Sequence, residues 1–299
     1  MTWLIFAISG YFFYAVSTLI NKFLLRQKAV TKPMAFTFWV GVSSIFTFVL
    51  VPFGLHWPGW SGFILDLLAG IIFFAALFYF YRALDINEAS RAASVMGGLL
   101  PIFILIFSYL FLDERLGWLQ LAAFLLLVVG GILLSLKIQK KGLKEAMKGW
   151  GSIFLAILVG AIYWVLEKHI FNTQGFITGF IWTRLGLVIG ALLILLYIPW
   201  RRTVFTSASQ ATGGIGALMI FAKLIAGLGS LSVHFALSRA SAPLVQALQG
   251  TEYVFLLMLV VIFSKKFPQI IKEKTTMPII IQKAIAIFLI GVGLAFLVL

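Results

Sequence analysis

Long apolar runs broken by brief polar punctuation dominate the chain. They lie at about 3–25, 34–54, 63–84, 91–112, 116–136, 150–171, 175–199, 212–237, 243–263 and 279–299. A helix rising about 1.5 Å per residue crosses a hydrocarbon layer of about 30 Å in about twenty residues, which each run supplies. The pattern therefore predicts an all-α membrane protein with ten transmembrane helices. The unit is clearest from Ala89 to Leu136, where two runs flank the turn Asp113-Glu114-Arg115 and predict a helical hairpin with almost no loop. The layout returns near the end: Ala240-Ser241 stands where Ala89-Ser90 stood, a run follows to Phe263, and a last run spans Ile279 to Leu299. Two similar halves are expected, residues 1–138 with five helices and residues 150–299 with five more, joined by a basic linker at 139–149. An odd number of spans per half sets the halves in opposite orientations, as two five-helix inverted repeats around a central cavity near the midplane.

Composition sharpens this picture. Hydrophobic residues make up 62% of the chain, charged residues 11%, and the mean hydropathy is +1.10, which no soluble domain of this size needs. Cysteine is absent, which excludes disulfides, thiolate nucleophiles and cysteine-bound metals. The net charge of +14 belongs to loops that meet anionic lipid rather than to nucleic-acid binding. Lys22, Arg26, Lys28 and Lys32 follow the first span, Lys137 to Lys148 fill the linker, Arg201 and Arg202 follow the seventh span, and Lys265 to Lys274 follow the ninth. The alternate loops carry little charge: His56 with Asp66, the Asp113-Glu114-Arg115 turn, Lys168-His169 and Arg239. The bias predicts cytoplasmic basic loops with both termini outside; the expected location is the cytoplasmic (inner) membrane of a prokaryote. The first run has no basic residue before it and no small-residue cleavage site, so it reads as a span rather than a signal peptide. The mixed basic and apolar segment from Ser264 to Pro278 suits the inner lipid surface.

The small-residue start of the hairpin, Pro101, the stretch LDERLGWLQLAAFLLLVVGGILL and the doubled layout resemble the EamA-type branch of the drug/metabolite transporter superfamily over nearly the whole chain. The second copy departs from the acidic turn, with Ser264-Lys265-Lys266 in its place. The resemblance implies a secondary transporter working by alternating access on a small metabolite, an amino acid or related zwitterionic or polar solute, in the direction of export. No nucleotide-binding motif is present, so transport is expected to be passive or ion-coupled, with a proton as the coupling ion. Rival readings are a transporter of choline-like cations, a flippase for a lipid-linked metabolite, and a non-transporting membrane scaffold. No nucleophile–base arrangement, metal-ligand spacing or cofactor motif occurs, so no enzymatic role, metal or cofactor is expected. Partners are the solute and membrane lipids, and both a monomer and a homodimer stay open.

Charge at bilayer depth costs about 2.5–3.5 kcal/mol per group on insertion scales, so charged residues inside spans mark function or pairing. Glu167, Arg184, Lys223 and Glu252 stand out, all in the second half. Gly216, Lys223, Gly227, Ser230 and His234 fall on one helical stripe, which fits either a cavity wall or a packed interface with a buried ion pair. Gln246, Gln249, Glu252 and Tyr253 share one broad face; the first half has Pro101 where the second has Glu252. Glu252 is the expected substrate- or proton-binding residue. Arg184 cannot deprotonate, and a carboxylate partner in Glu167 or Glu252 is favoured over substrate contact. Glu167, near the end of its span, is expected to reach the interface. Substrate contacts are expected from Glu252, Lys223, Gln249, Gln246, Arg184, Trp182, Tyr14 and Ser230. Proton-coupling candidates are Glu252, with Glu167 or His234 as relay.

Overall fold

The computed structural model of the protein describes residues 1–26, 32–86, 89–135, 150–208, 213–264 and 277–298. Among the described residues the structure is helical, without strands: α1 (Thr2–Arg26), α2 (Pro33–Ser43), a 3-10 helix (Ser44–Phe53), α3 (Gly59–Ile86), α4 (Ala89–Leu112) and α5 (Trp118–Ser135) in the first half. The second half holds α6 (Trp150–Gln174), α7 (Phe176–Leu193), α8 (Ile198–Ala208), α9 (Gly213–Arg239), α10 (Ala242–Ala247), α11 (Gln249–Ser264) and α12 (Met277–Val298). Among the described residues ten stretches are long and apolar enough to cross a membrane, and they coincide with the runs read from the sequence. The expected linker and the basic loop after Phe263 lie outside the described residues.

Three spans depart from single α-helices, the seventh only in a closing 3-10 turn over Ile194–Leu196. The second changes to 3-10 geometry at Ser44, where the hydroxyls of Ser43 and Ser44 donate to the carbonyl of Val40 at 2.9 and 3.1 Å. Such local bonds compete with the α ladder, and Pro52 removes a further donor. The ninth is divided at Leu248 into α10 and α11; there Thr251 donates both its backbone N–H and its hydroxyl to the Leu248 carbonyl. Gln246 and Gln249 thus sit on different segments of the one span from Ala242 to Phe263. The run at 175–199 ends earlier than expected, and α8 is an additional short helix carrying Arg201 and Arg202 at the surface.

The helices interlock across the two halves. α1 lies along α9 and touches α11, α6 lies along α3 and touches α4, and α5 lies along α12. α3 also lies close along α7, because glycines meet backbone there. A Cβ at Gly70 would strike the carbonyl oxygen of Thr183, and one at Gly186 would strike the backbone of Leu67. α2 and α9, by contrast, scarcely approach each other. The largest core joins Tyr11 of α1, Phe124 and Leu127 of α5, Phe171 of α6 and Leu237 and Leu248 of the last spans. On α9, Ile220, Phe221, Leu224 and Leu228 are exposed at helical spacing, an apolar face that a lipid environment covers.

Candidate functional site

One buried polar network ties three helices. α6 carries Tyr163, Trp164 and Glu167 three and four residues apart, so they share a face. α7 carries Arg184 and α9 carries Ser230 and His234, also four apart. Arg184 donates from Nη2 to Ser230 Oγ at 3.1 Å and faces His234 Nε2 at 3.0 Å. The same Nε2 lies 3.0 Å from Glu167 Oε2 and 3.1 Å from the Tyr163 hydroxyl. Glu167 is 0% exposed, His234 1% and Arg184 3%, so no bulk solvent screens them. Rings wall the network: the guanidinium lies 4.9 Å from the Phe73 centroid and 4.5 Å from that of Phe180, and Trp164 stacks on the imidazole at 4.9 Å. Burial of these charges is tolerable because opposite charges and hydrogen bonds meet inside one ring of aromatics.

This corrects one expectation and refines another. Glu167 does not reach the membrane interface; it is sealed against His234. Arg184 and Glu167 do act on each other electrostatically, as expected of a carboxylate partner, but both meet at His234 Nε2, and among the described residues no direct ion pair joins Arg184 to Glu167 or Glu252.

A second layer surrounds α1. Thr18 Oγ1 donates to Glu252 Oε1 at 3.0 Å, and Ser17 Oγ donates to the Ala222 carbonyl at 3.0 Å. Lys223, next in the chain, places Nζ 3.4 Å above the ring of Phe36 on α2. Among the described residues no carboxylate stands within ion-pairing distance of Lys223. The expected stripe on α9 therefore divides. Ser230 and His234 enter the network, Lys223 bends toward α2, and a Cβ at Gly216 or Gly227 would meet open space rather than a packed helix. Tyr14 joins the two layers, hydrogen-bonded to Ser230 and within electrostatic reach of both Glu167 and Glu252. Gln246 is buried, and Gln249 Oε1 is buried without a hydrogen-bond partner among the described residues. Trp182 lies elsewhere: it donates to the His56 carbonyl at 3.3 Å and packs edge-on against Trp57 and Phe63.

Sequence reasoning missed two buried charges. Asp66, counted with the loop at His56, is 0% exposed inside α3 and accepts from Gln174 Nε2 at 3.0 Å. A buried acid thus stands in a first-half span as well, against the expectation that all such charges lie in the second half. Lys168, counted as a loop residue, is buried in α6 and donates to the Leu237 carbonyl at 3.0 Å. Both were legible in principle, since each falls inside an apolar run.

Glu114 crosses between the halves. Its Oε2 accepts the backbone N–H of Ala242 at 3.2 Å at the start of α10, and its Oε1 lies 3.9 Å from Lys168 Nζ. Burial holds the Glu114 carboxyl above its ordinary range, opposed by Lys168 and the Ala242 N–H. The acidic turn is thus a fastener at the end of the bundle where the short turns gather.

Residues 1–136 match the EamA-like transporter family. The first half of the chain is thus similar to that family. The match suggests a membrane transporter of small solutes, and ten apolar helices among the described residues agree with a multi-pass membrane protein. No curated protein matches the chain. A solved structure titled only as the crystal structure of a protein is similar at a TM-score of 0.67 and 18% identity, covering 99% of this chain and 94% of its own. That likeness shows a fold shared with that structure over nearly the whole chain.

Proposed function

We infer that this EamA-like protein carries a small polar or zwitterionic metabolite by alternating access, in the direction of export. Glu252, Lys223, Tyr14 and Ser230 face the solute, with the divided span at Gln246 and Gln249 beside them. The observation that carries this reading is the contrast of partners in the layer around α1. Glu252 has a threonine and Lys223 a ring, where membrane charges normally find opposite charges. A zwitterion supplies both missing partners: its ammonium to Glu252, its carboxylate to Lys223. Trp182 is left out of this site by its place beside His56, and Arg184 acts through Ser230 and His234.

The pairing of helices supports an inverted repeat. The contact of α1 with α9 has its counterpart in that of α6 with α3, and α11 on α1 in α4 on α6. The exception is informative, because α3 closes on α7 while its counterpart α9 stands off α2. In this reading the parted pair is the open side of the carrier and the zipped pair the closed one. Basic loops lie on the cytoplasmic face of a prokaryotic inner membrane and both termini outside.

Uptake into proteoliposomes of labelled amino acids, quaternary amines and nucleosides tests the proposal. Flux of a zwitterion that falls at least tenfold in Lys223→Met and in Glu252→Gln is expected; absence of flux for every class overturns it. A choline-like cation is the second reading, favoured by the ammonium of Lys223 already resting on Phe36. It predicts quaternary-amine flux that survives Lys223→Met.

A further inference from the structure

The imidazole of His234 is held between demands that one protonation state cannot meet. Its Nδ1 lies 2.6 Å from the Ser230 carbonyl oxygen, four residues earlier. A carbonyl only accepts, so Nδ1 carries a hydrogen in every state. The other nitrogen, Nε2, faces a donor and an acceptor at the same distance: Arg184 Nη2 at 3.0 Å and Glu167 Oε2 at 3.0 Å. Arg184 can only donate, so its bond needs a bare lone pair on Nε2. Ionised Glu167 can only accept, so its bond needs a hydrogen on Nε2. Neither carboxylate oxygen of Glu167 receives a well-directed hydrogen bond, although the residue is 0% exposed. A buried acceptor without a donor is costly; Nε2, 3.0 Å away, and the Tyr163 hydroxyl are the neighbours able to supply one.

We propose that His234 is the seat of a coupling proton, which switches Nε2 from Arg184 to Glu167. This rests on the reading of the chain as an ion-coupled carrier. Of the three expected proton carriers it selects His234, with Glu167 as its counter-ion rather than a relay. A proton from water adds to the Nε2 lone pair, and the site gains one positive charge. The new N–H donates to Glu167 Oε2. Arg184 loses the lone pair but keeps Ser230 Oγ at 3.1 Å, so its charge stays hydrogen-bonded. Trp164, stacked on the ring at 19° between planes, supports the imidazolium by cation–π attraction.

The groups that face the switch come from every neighbouring helix. α6 presents Tyr163 and Glu167, α7 presents Arg184, and α1 presents Tyr14 through Ser230. Asp66 of α3 acts on Glu167 from further off, and Glu252 of α11 acts on Tyr14. The placement couples the proton to motion. α9 rides on α1, where Gly10 and Gly229 let the backbones meet, and it touches α6 and α7 only briefly. A proton on Nε2 thus adds a tie from α9 to α6 through Glu167, and its loss adds a second tie from α9 to α7 beside the one Ser230 keeps with Arg184. The proton site and the solute layer share α9, with Lys223 three turns from His234.

Nitrogen NMR of the full-length protein in nanodiscs, labelled at histidine, tests this directly. The chain has three histidines, and His234→Gln assigns the buried one. The expected result is an Nδ1–H tautomer at high pH that becomes imidazolium on acidification. In Glu167→Gln, nearly the same shape without the charge, the ratio of imidazolium to imidazole at one pH should fall about tenfold or more. A His234 that stays neutral from pH 4 to 9, or an unchanged ratio in Glu167→Gln, overturns the proposal. Failure of the carrier reading looks different: His234 titrates as described while no solute in the proteoliposome panel moves. Solute flux indifferent to an imposed pH gradient, with a silent His234, removes the proton seat and leaves the carrier.

Discussion

Arg184 and Lys223 are both cations inside spans, yet their surroundings differ. Arg184 sits on α7, where α3 packs so closely that Gly70 and Gly186 leave no room for a side chain. It has a serine, an imidazole, two aromatic faces and, one residue beyond, a carboxylate. Lys223 sits on α9, which stands away from α2, and reaches across to one ring. The first arrangement is a closed network that locks helices together. The second leaves a charge in search of a partner. The difference teaches that charge at membrane depth serves two ends, and that neighbours rather than residue type decide which.

Cutting Arg184 from its network should have the largest effect. Arg184→Ala leaves Glu167 buried beside His234 without the nearby cation, and removing one partner of a buried charge set costs about 3–5 kcal/mol. Loss of monodisperse protein in detergent, or a collapse of the thermal transition, is the expected reading; a transition unchanged from the parent would show the network to be ornamental. Next comes the contrast between the two helix pairs. Gly70→Ala forces α3 from the Thr183 carbonyl and should cost about 1–3 kcal/mol, read as a lower Tm, whereas Gly227→Ala should be neutral or slightly stabilising. Equal effects at both positions would erase the distinction between a zipped and a parted interface.

Lys223→Met should change stability by about 1 kcal/mol or less, since it removes an uncompensated charge and keeps the length of the side chain. Its cost should appear in solute flux instead; a large drop in Tm would place Lys223 with Arg184 as a structural cation. The smallest effect belongs to Glu114. Burial raises its carboxyl in the folded state, so its contribution to stability is complete below the ordinary glutamate value of about 4.3 and is lost as pH rises through the raised one. Glu114→Gln should flatten the Tm–pH curve over that window, with a shift of about 2 °C or less. A curve identical to the parent would remove the carboxylate from the account.

The ten spans were legible because twenty apolar residues in a row have one economical use, and the acidic turn marked the tightest hairpin. Asp66 and Lys168 were misplaced because charge near the end of a run was assigned to the loop beside it. Both face inward from their helices, and facing is a property of neighbours. The stripe on α9 was drawn correctly as a helix face, but its fate depended on which helices approached it. Glu167 illustrates the same limit, since its position in the span gave no sign that a histidine nearly seventy residues later would cover it.

Hydropathy and length along the chain determined that this is a ten-span helical membrane protein, since backbone polar groups in lipid must be satisfied within each segment. Which charges meet was decided only in three dimensions. Arg184, His234 and Glu167 come from three helices whose mutual approach depends on glycine contacts and ring packing far apart in the chain. Lys223 lacks such company because α9 turns it toward a helix that stands off. Partnership between side chains is a matter of distance across the bundle, and no local pattern encodes it.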